Sequence, residues 1–210
     1  GSTLVFDGSN SKTLQIGPAS QIPNLKNNGN LTLNSDITII GTFENTGTFD
    51  ANNKDIILNG FCTNSGTFNT GTGNTITFKG SSFTNSGTFT AGTNNTVTLS
   101  PTGSTVTITG TGNASNTKFH HLSLTGAGGK NLVIDKKISV LGNLTLTGTS
   151  TDKLTIEGNS TNSGIALTGN QIGGQFLKVK TDIPITGGTY TAEESLPDGS
   201  DTDIQAGKPE

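Results

Sequence analysis

Few of the 210 residues have side chains suited to acid–base, nucleophilic or metal chemistry. The densest group is Asp198-Gly199-Ser200-Asp201-Thr202-Asp203, where three carboxylates gather around a glycine turn. Hard oxygen ligands of this kind suit calcium, so Asp198, Asp201 and Asp203 are the candidate metal ligands and calcium the only cofactor the sequence suggests. No full calcium-binding loop follows them, and acidic tails are commonly just solvated. His120 and His121 are the only histidines. Neighbours along a strand point to opposite faces, so the two are expected at a surface turn rather than on one metal. Cys62 is the only cysteine. It has no disulfide partner within the chain and reads as a small buried residue.

The acids of the body, Asp7, Asp36, Glu44, Asp50, Asp55, Asp135, Asp152, Glu157 and Asp182, do not recur as pairs. Asp50 and Asp55 bracket Asn52-Asn53-Lys54, which reads as a solvated loop. All 12 cations are lysines, and the missing arginine removes the usual bidentate partner of a substrate carboxylate. No enzymatic activity and no catalytic residue are therefore expected. The same absence, with no basic run, argues against nucleic acid as a partner. No stretch approaches 18 apolar residues, so no membrane-spanning helix is expected.

The elements that carry these residues are strands. Thr (38), Gly (30), Asn (23) and Ser (19) make up over half of the chain, while only 29% is hydrophobic. Thr favours strands through its branched Cβ, and Gly and Asn favour the turns between them. The apolar residues fall in short alternating runs, as in Leu31-Thr32-Leu33, Val106-Thr107-Ile108 and Leu144-Thr145-Leu146. That is the signature of half-buried strands, and low charge argues against disorder.

A repeat organises them. Phe43-Glu44-Asn45-Thr46-Gly47-Thr48-Phe49 recurs, with one extra residue, as Phe61-Cys62-Thr63-Asn64-Ser65-Gly66-Thr67-Phe68, and again as Phe83-Thr84-Asn85-Ser86-Gly87-Thr88-Phe89. An alternating strand follows each copy, at Ile56-Ile57-Leu58, Ile76-Thr77-Phe78 and Val97-Thr98-Leu99. A period of about 20 residues favours a parallel β-solenoid over an antiparallel sandwich, because only in a solenoid does each residue lie above its own copy. The reading is an all-β, single-stranded, parallel β-helix of nine or ten coils. Phe49, Phe68 and Phe89 would form an internal aromatic stack, and Asn45, Asn64 and Asn85 an amide ladder at a turn. Each amide would donate to one neighbouring coil and accept from the other. The following glycine would relieve positive-φ strain. The ten Phe residues are assigned to the interior.

Runs such as Gly41-Thr42-Phe43-Glu44-Asn45-Thr46-Gly47-Thr48-Phe49-Asp50-Ala51, Leu122-Ser123-Leu124-Thr125-Gly126-Ala127-Gly128-Gly129-Lys130 and Ile138-Ser139-Val140-Leu141-Gly142-Asn143-Leu144-Thr145-Leu146 resemble the β-helical repeats of bacterial surface proteins. The similar group is the filamentous-haemagglutinin-like adhesins and related autotransporter passengers, matched over roughly residues 25 to 190. The resemblance implies a right-handed β-helix, a secreted or cell-surface setting, and a role in adhesion or surface architecture.

Residues 1–190 form the expected solenoid body. Residues 191–210, with six acids and one Lys, form an acidic C-terminal segment that serves as cap, tail or inter-subunit contact. No amphipathic helix caps either end, and Leu4-Val5-Phe6 reads as a strand. A bare end rung needs a partner, either a second copy in a head-to-tail homopolymer or flanking coils of a longer surface protein. The alternative is a β-helix that binds a host or matrix glycan or cleaves polysaccharide. A groove lined by acids, Lys130, Lys136, Lys137 and Tyr190 would mark that alternative.

Overall fold

The computed structural model describes residues 1–125, 128–172, 177–179 and 183–187. Asp198, Asp201, Asp203, Tyr190 and the acidic segment 191–210 lie outside the described residues. Alternation at period two becomes short strands, most of three to five residues, each with a buried and a solvent-facing row. Among the described residues every strand pairing is parallel. The chain visits three faces in strict rotation. One face has nine strands, from Thr3–Phe6 to Leu177–Val179, and another has eight, from Gln21–Ile22 to Gln171–Ile172. The third has five, from Ser11–Leu14 to Thr88–Thr90, then four from Lys118–Phe119 onward. A single parallel bridge, Phe89 to Thr117, joins its two parts. The chain is thus a three-sided β-solenoid, as its repeat implies.

Among the described residues, nine rungs on the longest face enclose eight turns of about 21 residues. At about 4.8 Å per rung the stack is about 38 Å long. The turns lengthen along the chain. Leu25, Phe43 and Cys62 occupy one column at short, nearly even spacing, whereas Phe83, Ile108 and Ile134 follow in the same column at markedly wider intervals. The extra residues sit in corners, including a 3-10 turn at Ala114–Asn116 before Thr117. The fading of the motif after Phe89 therefore marks longer corners, not an end of the stack.

The register also explains the extra residue in the middle copy. Cys62, not Phe61, pairs with Phe43 and Phe83. Phe61 stands outside at 56% exposure, contrary to the assignment of every Phe to the interior.

The core is one side chain deep from each face. Phe43, Phe49, Phe68, Phe83, Phe89 and Phe119 fill its middle, with Ile, Leu and Val above and below. Gly29, Gly47, Gly66 and Gly87 form a column at one corner. None has positive φ, so the strain-relief reading is corrected. A Cβ on Gly66 would instead overlap the carbonyl oxygen of Gly47 in the preceding coil, and one on Gly87 would overlap that of Gly66. The column is glycine because coils approach backbone to backbone there. Gly66→Ala is expected to cost about 1–3 kcal/mol, as overpacking does. Gly103→Ala, whose Cβ would meet open space, is expected to change stability by less than about 0.5 kcal/mol. Parallel urea melts check the difference between the two.

Candidate functional site

The corner beside the glycine column carries the amide ladder, and it is longer than the repeat suggests. Asn27 Nδ2 donates to Asn45 Oδ1 at 2.8 Å, Asn45 to Asn64 at 2.6 Å, and Asn64 to Asn85 at 2.7 Å. Asn85 then donates to Thr117 Oγ1 at 2.7 Å. The second hydrogen of each amide goes to a main-chain carbonyl of the next coil, Thr48, Thr67, Thr88 and Asn116 in turn. All four asparagines are fully buried. Each amide links two coils while satisfying turn carbonyls that water cannot reach.

Asn27 was legible but missed. Asn27-Asn28-Gly29-Asn30-Leu31 keeps the Asn-x-Gly-x-apolar spacing of Asn45-Thr46-Gly47-Thr48-Phe49 and lacks only the aromatics. Thr117 had no signal, because the long corner places it well past the repeat spacing from its partner Phe89. A second, shorter ladder at another corner was equally readable from Asn74-Thr75-Ile76 and Asn95-Thr96-Val97. There Asn95 Nδ2 donates to Asn74 Oδ1 at 2.8 Å.

The aromatic stack runs beside the first ladder. Phe49 and Phe68 have ring centroids 4.8 Å apart, and Phe68 and Phe89 4.9 Å. Phe43 and Phe83 meet it edge-on from the neighbouring face. Cys62 is buried among these side chains, and burial pushes its thiol far above the usual range, so no reactive thiolate forms.

Lys136 corrects the expectation of a groove-lining cation, since it is 1% exposed. Gly110 follows Asn85 in the ladder column and has φ +125. A Cβ there would strike the Asn85 carbonyl. The amine of Lys136, one coil further on, fills the slot that this side-chain-free position leaves. Its Nζ donates to Asn85 O at 2.6 Å and Thr111 O at 2.8 Å. Burial lowers its pKa, and the two carbonyls hold the amine in place of a ladder amide. Lys130 donates to Gly103 O at 2.7 Å elsewhere, and Lys137 is exposed. The three lysines do not converge.

The carboxylates act locally. Asp36 Oδ1 accepts Asp55 N–H at 2.9 Å, and Asp55 Oδ1 accepts Thr75 N–H at 2.7 Å, so both tie one coil to the next. Asp50 Oδ1 accepts Asn52 N–H and closes its own turn. Glu44 pairs with Lys26 at 2.8 Å, an exposed contact. Among the described residues no three metal-ligating side chains come together.

A groove of about 720 Å³ lies between the loop at residues 16–20 and the first rungs of one face. Ile16, Pro18 and Ile57 give it apolar walls, and Asp36, Asp55 and Lys54 give it charge. At the same end, Thr3–Phe6 pairs among the described residues on one side only, with Asn24–Asn27, and Leu4 and Val5 are 40% and 46% exposed.

His120 lies at a turn as expected, but the two histidine rings depart from the opposite facing of strand neighbours. They do not diverge but pack edge-to-face at 4.4 Å, because His120 sits in the corner before the strand His121–Leu124 rather than in it. No family model, no curated protein and no solved structure matches this chain.

Proposed function

We propose that this chain is an extracellular or cell-surface structural and adhesive β-solenoid, a rod extended by further rungs at its ends. The observation that carries this reading is the Thr3–Phe6 rung. Among the described residues it offers an unpaired parallel edge together with exposed Leu4 and Val5. An edge of this kind is a template for another strand. The next rung comes from a second copy, giving a head-to-tail filament, or from neighbouring coils of a longer surface protein. Parallel rungs match either source without a change of geometry. The interior supports a structural role, because its buried polar side chains are engaged in holding coil to coil. The resemblance to bacterial surface repeats supports the extracellular setting.

The groove beside Asp36, Asp55 and Lys54 favours a second reading, a carbohydrate-binding β-helix. Two carboxylates with free oxygens next to an Ile57 and Pro18 wall match the mixed polar and apolar surface of a sugar.

Electron microscopy and light scattering of the purified protein test the first reading. Fibres, or mass growing with concentration, are expected for the self-assembling form, and Val5→Lys should abolish both by placing charge on the edge. Wild-type protein that stays monomeric at all concentrations removes the filament. A glycan array tests the second, with loss of any signal expected in Asp55→Asn.

A further inference from the structure

The two histidines sit at a joint between coils. His121 Nδ1 accepts the main-chain N–H of Asn143, one coil on, at 2.8 Å. A ring nitrogen that accepts carries no proton, so the neutral ring holds its proton on Nε2. Both rings press on the backbone of that next coil. A Cβ on Gly142 would come within 2.7 Å of His121 and 2.8 Å of His120. The Nδ1 of His120 is buried without a hydrogen-bond partner, as is Oδ1 of Asn95 in the coil before. The main-chain N–H of His121 donates to the Asn95 carbonyl.

The elements packed around the ring supply no anion to stabilise an imidazolium. The strands on either side, Thr96–Leu99 and Leu144–Leu146, carry no titratable side chain, and neither do Leu141, Gly142 and Asn143. On the coil itself the neighbours with basic side chains are Lys118 on the preceding strand and His120 at the corner. No carboxylate faces the ring from any of these elements.

We propose that this corner is an acid-operated joint: protonation of His121 turns the nitrogen that accepts Asn143 N–H into a donor, and the coil carrying Asn143 parts there from the coil carrying His121. The direction of titration agrees. Burial, then the charge of His120, holds His121 below its ordinary value of 6.5. The unfolded or opened corner therefore binds the proton more readily than the closed one. The joint is fully closed above about pH 6.5 and weakens as the pH falls through that value toward the lower folded one. Above that range the rod is continuous, and below it the stack gains a local break downstream of the Asn ladder.

Nitrogen-15 NMR of the full chain between pH 7.5 and 4.5 tests this without a variant. The expected result is an Nε2–H tautomer for His121 at pH 7.5, a ring titration below 6.5, and a change in the Asn143 amide with the same midpoint. Hydrogen exchange of the Asn143 amide, relative to its intrinsic rate, should accelerate at least tenfold from pH 7.5 to 5.0, while the amides of Thr46 and Ser65 beside the ladder stay protected. An Nδ1–H tautomer at neutral pH overturns the proposal. So does an Asn143 amide indifferent to the ring's titration, or equal loss of protection at the ladder, which is general acid unfolding. In His121→Gln, Asn143 should exchange with no pH dependence beyond the intrinsic one, and a persisting tenfold change points to another group and overturns the assignment.

Discussion

Phe68→Ala is expected to destabilise the protein by about 3–5 kcal/mol, the range for emptying a fully buried aromatic site. Phe68 is 0% exposed and central in the stack, with rings of Phe49, Phe89 and Phe43 at 4.8, 4.9 and 5.7 Å. Its loss removes three ring contacts as well as its own transfer from water, and the walls of the void cannot collapse. The coils on either side are pinned by the Asn45–Asn64–Asn85 amides and the close-packed glycine column. In a chain of this size each kcal/mol lowers the melting temperature by about 2–4 °C, so a drop of about 10 °C is expected in a calorimetric scan. Phe68→Leu, which refills most of the space, should recover more than half of it. Because a solenoid is stabilised by nearest-neighbour contacts, hydrogen exchange should rise first in residues 43–89 and last beyond residue 130. A uniform rise along the rod would mean that the stack does not act as a local hub.

These side chains show how a chain with so little apolar content folds. An ordinary domain encloses a thick core, whereas the interior of this one is a single side chain deep from each of its three faces. Its polar columns take up the rest. Amides, one lysine and carbonyls occupy positions that a larger protein would fill with leucine, and every amide of the ladder from Asn27 to Asn85 has a partner in the next coil.

How legible this was depends on the local length of the turn. Between Phe43 and Phe89 the coils are short and nearly equal, so identical residues recur at almost fixed spacing. The Phe stack and three ladder asparagines could be read off directly. Beyond Phe89 the step to the same position lengthens by a whole corner, and the partner of Asn85 becomes a threonine. No spacing rule points to Thr117. Lys136 was misjudged because a charged side chain reads as solvated unless the register is known. Only the alignment of Gly110 below it reveals a slot of the right size. The turn position expected for the histidines holds for His120, but the opposite facing of strand neighbours does not, because one of the pair occupies a corner and the rings meet. The glycine column was placed correctly for the wrong reason, since sequence does not distinguish a glycine needed for φ from one needed for close approach.

Asn64→Asp isolates the ladder from packing, because the side chain keeps its shape and loses only its donors. In the wild type, Asn64 Nδ2 serves Asn85 Oδ1 at 2.7 Å and Thr88 O at 3.0 Å, and its own Oδ1 accepts from Asn45. An aspartate still accepts from Asn45 but turns a bare oxygen toward two acceptors inside a site that is 0% exposed. Two orphaned buried acceptors at about 1–3 kcal/mol each set an expected loss of about 4 kcal/mol at pH 7. The sign of the pH dependence then separates this cause from a packing defect. Burial and the facing oxygens raise the pKa of the introduced carboxyl above its unfolded value of about 3.9. The folded state therefore binds the proton more readily, and the penalty shrinks as the pH falls through the raised value. A protonated carboxyl regains one donor, enough for Asn85 or for Thr88 but not for both, so recovery is partial. Urea titrations of variant and wild type at pH 7.0 and 4.5 are expected to show a smaller stability gap at the lower pH. A gap of equal size at both would mean that Asn64 contributes by filling space, and the amide chain would then not be what holds one coil to the next.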